Sequence, residues 1–272
     1  MKQVIFLQLL NGCTGIQNII VPNSVTSIES YAFQNCSSAT SMVLGNNLRA
    51  IKEYAFDGCK TLKSIDFPSR LETIGNYAFQ GCTSYTRLTI PASVTDIGEG
   101  AFLDNSSLIT LVIEKCNIGK GAFGGCSSMT NLTINGVVSI GDGAFSSCMR
   151  LYNAELGNKL EIIGASAFYN CRYLKTITIP NSVKSIGKEA FSYAGMGTIS
   201  VYMKPTTPPT CSGEIFNYHY YQEIGNWTSY YANYVNMYVP NASVSAYNDI
   251  KNQYYGTVYS KSYITIIGYD FE

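Results

Sequence analysis

The sequence predicts a solenoid: an α/β repeat of short coils, mostly strand and turn with short helical turns, whose strands pair in a parallel ladder that ends in a small C-terminal cap. Three observations carry this reading. The dipeptide Ala-Phe recurs at Ala32-Phe33, Ala55-Phe56, Ala78-Phe79, Ala101-Phe102, Ala122-Phe123, Ala144-Phe145, Ala167-Phe168 and Ala190-Phe191, spaced by 21 to 23 residues. Four residues before each alanine stands an isoleucine: Ile28, Ile51, Ile74, Ile97, Ile118, Ile140, Ile163 and Ile186. Three residues after the phenylalanine comes Cys36, Cys59, Cys82, Cys126, Cys148 or Cys171, with Asn105 and Ala194 in the other two coils. A fixed period of this length marks a repeat architecture, in which no coil buries its own apolar face and stacking completes the core.

Each element of the coil follows from local chemistry. After the cysteine comes an alternating segment such as Leu62-Lys63-Ser64-Ile65-Asp66-Phe67 or Leu174-Lys175-Thr176-Ile177-Thr178-Ile179, and period-two alternation marks a half-buried strand. Pro22, Pro68, Pro91 and Pro180 end these strands, because proline has no amide to continue a ladder. A short extended piece follows, as in Val94-Thr95-Asp96-Ile97, and glycine succeeds six of the eight isoleucines, which predicts a turn. A helical turn carrying Ala-Phe then returns the chain. Strands of successive coils pair at roughly 4.8 Å, so eight coils predict a sheet on the order of 40 Å long.

The same phase accounts for the N-terminus and the cysteines. Cys13 lies 23 residues before Cys36 and Ile5 lies 23 before Ile28, so residues 1–22 read as a degenerate first coil. The start also resembles a lipoprotein signal ending at Cys13, but its apolar stretch is short and Gln8 interrupts it. The absence of a polar capping unit ahead of this coil carries the expectation that the native chain extends upstream. Nine cysteines without a Cys-x-x-Cys spacing argue against a metal site, and stacked thiols about 4.8 Å apart are too distant for a disulfide. Free, buried thiols are expected, with Cys116 and Cys211 outside the ladder.

Composition shifts near residue 200. The solenoid is assigned to residues 1–200 and a tyrosine-rich cap to 201–272, since fourteen of the 22 tyrosines follow residue 200, together with His219 and Trp227. Within the cap, Met237 to Val239 reads as a strand, Ser243 as the cap of a helix running to about Asn252, and Ile264 to Ile267 as a final strand.

The pattern Ile-Gly-x-x-Ala-Phe-x-x-Cys-x-x-Leu-x-x-Ile-x-Ile-Pro, seen in residues 163 to 180, resembles the BspA-type leucine-rich repeat, and the likeness spans roughly residues 5 to 200. The segment Lys204 to Thr210, followed by Met237 to Tyr247, looks like the closing segment such proteins carry. The resemblance implies a leucine-rich repeat solenoid displayed on or secreted from a bacterium, with adhesion to host matrix proteins or other cells as its function.

Composition excludes several other classes. Charged residues make up 13 %, with eighteen positive against eighteen negative, so no basic face recruits nucleic acid. No apolar stretch reaches the roughly eighteen residues a membrane-spanning helix needs. With His219 as the only histidine and no glycine-framed nucleophile, no catalytic constellation emerges, and neither cofactor nor metal is expected.

Two binding surfaces are candidates. Alternation turns Ser41 and Val43, Ser64 and Asp66, Arg87 and Thr89, Thr110 and Val112, Asn131 and Thr133, Asn153 and Glu155, and Thr176 and Thr178 outward, forming a strand face suited to a protein partner. Threonine's strand propensity gives an equally good account of a merely solvated face. An aromatic patch of Tyr218, Tyr220, Tyr221, Trp227, Tyr230 and Tyr231 would suit a glycan, or would simply cover the last coil. A structural spacer within a longer surface protein is the third reading.

Overall fold

The computed structural model describes residues 3–5, 10–216, 234–250 and 263–271. Its longest sheet is made of its shortest strands. β1 (Gln3–Ile5), β3 (Val25–Ile28), β5 (Ala50–Ile51), β6 (Thr73–Ile74), β8 (Asp96–Ile97), β10 (Asn117–Ile118), β12 (Ser139–Ile140), β14 (Ile162–Ile163), β16 (Ser185–Ile186) and β18 (Thr210–Cys211) form ten parallel strands in that order. The register sets Ile28 beside Ile51, Ile51 beside Ile74 and Ile74 beside Ile97, and so on to Ile186. Each of these β-branched side chains is buried against its counterpart in the next coil, which is why one isoleucine per coil suffices to hold a ladder.

The glycine after the isoleucine has a different role from the turn expected of it. A Cβ on Gly75 would fall 2.7 Å from the amide nitrogen of Glu53, and on Gly98 2.6 Å from that of Asn76. Close approach of successive backbones, and not a left-handed conformation, excludes a side chain there.

The Ala-Phe segment is where a helical turn was expected, and the structure differs. The residue before each alanine has positive φ (Tyr31, Tyr54, Tyr77, Gly100, Gly121, Gly143, Ser166 and Glu189), and so does the residue before the cysteine position (Asn35, Gly58, Gly81, Asp104, Gly125, Ser147, Asn170 and Tyr193). Two left-handed residues four apart break a helix into linked three-residue turns. Alternate amides then serve different partners. Ala32, Gln34 and Cys36 donate within their own coil to Glu29, Tyr31 and Phe33, whereas Tyr31, Phe33 and Asn35 donate to Glu53, Ala55 and Asp57 of the next. The same forward bonds recur down the stack, from Phe56 to Ala78, Phe102 to Ala122 and Phe168 to Ala190.

Inside this turn the phenylalanines form one column. Phe33, Phe56, Phe79, Phe102, Phe123, Phe145, Phe168, Phe191 and Phe216 stack with ring centroids 5.0 to 5.7 Å apart. Stacking of this kind adds about 0.5–1.5 kcal/mol per pair beyond the burial itself. Cys36, Cys59, Cys82, Cys126, Cys148 and Cys171 run beside it as thiols outside any disulfide. Cys59 Sγ donates to the Phe33 carbonyl, Cys82 to Phe56, Cys148 to Phe123 and Cys171 to Phe145, each a carbonyl that already accepts the amide of its own coil's cysteine. The thiol thus fills a methyl-sized space and gives a buried carbonyl a second donor. Where Asn105 replaces cysteine, its amide donates to the Tyr85 hydroxyl, and Tyr85 itself replaces the leucine of the preceding coil. The two exchanges pair with one another through this one bond, while Asn105 Oδ1 has no hydrogen-bond partner among the described residues.

The alternating segments form strands that do not make one sheet. β2 (Asn18–Ile20) pairs with β4 (Ser41–Val43). β7 (Arg87–Ile90), β9 (Thr110–Ile113), β11 (Asn131–Ile134) and β13 (Asn153–Leu156) form a second sheet. β15 (Thr176–Ile179), β17 (Thr198–Met203), β19 (Tyr234–Pro240) and β20 (Tyr263–Tyr269) form a third. The strand expected at residues 62–67 is not formed, although Ile65 is buried and Ser64 and Asp66 are exposed as the alternation requires. Phe67 stands there in the place of Ile90, Ile113 and Ile134, and its ring lies edge-on to Phe79 and Phe102 at 5.6 and 6.3 Å. A ring drawn toward the following coil pulls this backbone out of register, leaving a bond from the Lys63 amide to the Thr40 carbonyl.

Beyond residue 200 the same ladder continues in parallel through β17, β19 and β20, with Thr178 beside Tyr202 and Tyr202 beside Tyr238. The strands expected near Met237 and Ile264 are present as β19 and β20. Ser243 is buried in a 3-10 turn, Asn241–Ser243, and α1 (Val244–Ile250) follows. The expected helix end near Asn252 lies outside the described residues. Tyr247 of α1 is buried and donates its hydroxyl to the Pro205 carbonyl, tying the helix to the proline-rich connection.

Candidate functional site

Strand alternation sets the outer face. Arg87 and Thr89, Asn153 and Glu155, and Thr176 and Thr178 are exposed, as is Asn131, while Thr110, Val112 and Thr133 are half-buried between neighbouring strands. Beneath them Leu88, Leu111, Leu132 and Ile177 anchor the strands in the core. Ser64 and Asp66 face outward from the irregular segment and not from a strand.

Between β13 and β15 the face opens. At the two preceding junctions the amides of Thr130 and Asn131 bond the Ile109 carbonyl, and those of Tyr152 and Asn153 bond the Thr130 carbonyl. Among the described residues no such backbone bond joins Lys175 or Thr176 to Tyr152, and the two strands are edges of different sheets. Ala154 provides the physical reason. It occupies the inward position held by Leu132 and Ile177 on either side, so β13, in register with β11, brings less buried bulk to its junction with β15.

The opening forms a groove of about 590 Å³ that brings together Asn131, Asn153, Glu155, Thr176 and Thr178, five of the fourteen residues named from alternation. Arg87, Thr89, Thr110 and Val112 lie on the intact sheet away from it. Two lining residues were not foreseen, Tyr152 and Lys175. Tyr152 is 65 % exposed. The signal was the aromatic immediately before Asn153, a position that alternation alone does not assign to either face. Inside the groove Glu155 accepts long hydrogen bonds from the Thr133 hydroxyl and the Asn153 amide, each at 3.5 Å, and Lys175 donates to the Met196 carbonyl. Its walls therefore offer an aromatic ring, a carboxylate, an ammonium, hydroxyls and amides.

The six aromatic residues proposed as a patch, Tyr218, Tyr220, Tyr221, Trp227, Tyr230 and Tyr231, lie outside the described residues, as does His219.

The ladder thiols are shielded: burial raises Cys36 to about 11 and Cys116 to about 12, and holds Cys82, Cys126 and Cys148 well above the usual thiol range. A thiol kept protonated is a poor nucleophile. Of the two cysteines outside the ladder, Cys116 is buried and Cys211 is half-buried. Among the described residues no cluster of His, Cys, Asp or Glu is placed to hold a metal ion, and no helix is long and apolar enough to cross a membrane.

Comparison with known proteins agrees with this architecture. A solved structure of a leucine-rich repeat protein from Bacteroides ovatus is similar, at 20 % identity and a TM-score of 0.57, over 97 % of this chain and 87 % of that one. A leucine-rich repeat protein of T. pallidum is 30 % identical over 56 % of this chain and 75 % of that one, with a TM-score of 0.50. None of the curated proteins matches the sequence. The profile of the BspA type leucine-rich repeat region matches in six copies over residues 5–118 and 109–219, and it indicates no catalytic family. The chain belongs to the BspA-type leucine-rich repeat family.

Proposed function

We propose that this chain is a non-catalytic adhesion module of the bacterial exterior, which holds a host or microbial surface protein against its strand face at the groove between β13 and β15. The groove carries the proposal: it is the place on the polar face where backbone pairing lapses and an exposed aromatic, Tyr152, stands among charged and hydrogen-bonding groups. Aromatic residues anchor protein interfaces, and the surrounding stack is ordered before binding, so little conformational entropy is lost on association. Family membership supports a surface location, and the residues at the groove support contact without chemistry.

The test is binding of the purified protein to immobilised host matrix proteins. Saturable binding is expected, reduced at least tenfold by Tyr152→Ala combined with Glu155→Ala and little changed by Arg87→Ala on the intact sheet. Binding that survives the groove variant moves the contact elsewhere. No binding by the folded wild type favours the spacer reading.

A further inference from the structure

We propose a second site, for a neutral saccharide, at the C-terminal end of the strand face, where Tyr269 and Phe271 form an aromatic corner against the polar pair Asn241 and Asp270. This goes beyond protein adhesion and rests on different residues.

The ladder register assembles the corner from distant parts of the sequence. Tyr202 of β17 and Tyr238 of β19 are lateral neighbours and stack with centroids 4.5 Å apart at 10°. Tyr269, at the end of β20, lies edge-on to both, at 5.5 Å and 73° and at 5.8 Å and 76°. Phe271 is in turn edge-on to Tyr269, at 5.0 Å and 67°. The Tyr202–Tyr238 pair covers one another's faces and acts as a backing that fixes the Tyr269 ring. Tyr269 itself is 43 % exposed. Tyr269 and Phe271 thus present two aromatic planes at a steep angle beside a cavity of about 520 Å³, within the size range of small-ligand sites.

The polar side of that cavity is built as well. Asn241 Nδ2 donates to Asp270 Oδ1, joining the 3-10 turn after β19 to the residue after β20. The amide fits because residue 268 is glycine: a Cβ there would fall 2.3 Å from Asn241 Oδ1. Asn181 and Lys204 complete the lining with an amide and an ammonium.

This set of groups favours a neutral ligand over a singly charged or purely apolar one. An anion would meet Asp270, a cation would meet Lys204, and a purely apolar ligand would strip water from both without replacing its hydrogen bonds. A neutral pyranose has what remains: one face of C–H bonds to lie on an aromatic ring, and a rim of hydroxyls that donate to Asp270 and accept from Asn181 and Lys204.

The experiment is an array of neutral oligosaccharides ending in glucose, galactose, mannose or N-acetylglucosamine, probed with the whole chain and followed by titration of the best-retained sugar. Wild type is expected to retain at least one. Tyr269→Ala and Asp270→Asn should each weaken that binding tenfold or more, while Tyr269→Phe, which keeps the ring, stays within threefold. Tyr152→Ala at the groove should leave it unchanged, so loss of protein adhesion and loss of sugar binding are separable. Retention of no neutral sugar by folded wild type overturns the proposal. So does equal binding by Tyr269→Ala, or a loss with Tyr269→Phe as large as with Tyr269→Ala.

Discussion

The two β-ladders of this solenoid run through the same coils and behave differently. The isoleucine ladder is ten strands long without a break, although most of its strands have only two residues. The outer ladder has longer strands and is divided into three. Length of pairing therefore does not decide continuity. What differs is uniformity: every coil from Ile5 to Ile186 supplies the same isoleucine to one ladder, with Cys211 in its last strand, whereas the inward positions of the other vary from Leu132 to Ala154 and from Phe67 to Ile90. Identical side chains in register leave no misfit to relieve, and varied ones place the misfit where the sheet is open to solvent.

The largest test of this contrast removes one ring from the phenylalanine column. Phe102→Ala should cost about 3–5 kcal/mol in chemical denaturation, since it deletes a fully buried side chain and two stacked contacts at once. Because coils contact only their neighbours, it should also split the unfolding transition in two, whereas loss of Arg87 on the outer face should leave a single transition.

Alkali should act on the uniform interior next. Thiols in the unfolded chain ionise near about pH 8.5, and burial raises those of Cys36, Cys82, Cys116, Cys126, Cys148 and Cys171 above this. Their folded values are raised, so the stability they contribute is complete below about pH 8.5 and is lost as pH climbs toward those values. Each should remove up to about 1.4 kcal/mol per pH unit in that window. Melting temperatures measured from pH 7 to 10.5 should fall steeply above 8.5, and Cys126→Ala with Cys148→Ala should flatten the fall. A slope unchanged by that double variant would show that burial of the thiols is not its source.

Repair of the outer ladder sharpens the comparison at lower cost. Phe67→Ile supplies the residue found in the paired coils and should let residues 64–66 join the sheet, raising their hydrogen-exchange protection on the order of tenfold while global stability changes by about 1 kcal/mol or less. The smallest effect is expected at Tyr54, which holds a left-handed conformation where other coils use glycine but stacks on Tyr31 and Tyr77 at 5.2 and 5.1 Å. Tyr54→Gly relieves about 1 kcal/mol of backbone strain and forfeits a similar amount of stacking, so the melting temperature should barely move.

How much of this could be read from the sequence follows from the same distinction. Ile28, Phe33, Cys36 and their successors were legible because the coils repeat them, the cysteine in all but two, and a repeated residue in a stack must meet its own copy. The left-handed turns were hidden, because Tyr31, Tyr54 and Tyr77 occupy positions whose conformation is declared by Gly100, Gly121 and Gly143 only once the turns are aligned. The groove was illegible in a stronger sense: it arises from what Ala154 lacks, and from a splay between strands that alternation treats as equivalent. The aromatic corner escaped notice because its tyrosines are separated by 36 and 31 residues, Tyr202 to Tyr238 to Tyr269, and only the parallel register brings them together. Tyrosine density in the sequence points instead to the stretch from Tyr218 to Tyr231.

The forward hydrogen bonds of the Ala-Phe turns have a consequence for how such a protein changes over time. Each of those bonds runs from a coil to its successor and none runs back, so a coil is defined by what it offers on one side and receives on the other. A duplicated coil inserted between two neighbours meets the same donors below and the same acceptors above that it had in its original place. Gain or loss of a whole period therefore keeps this pattern of backbone bonds, and so does the coil from Ala101 to Ala122, two residues shorter than most, whose Phe102 amide still donates to the Ala122 carbonyl. The reach of the molecule can drift in steps of one coil, without renegotiating the interior, and its outer face can be rewritten between steps.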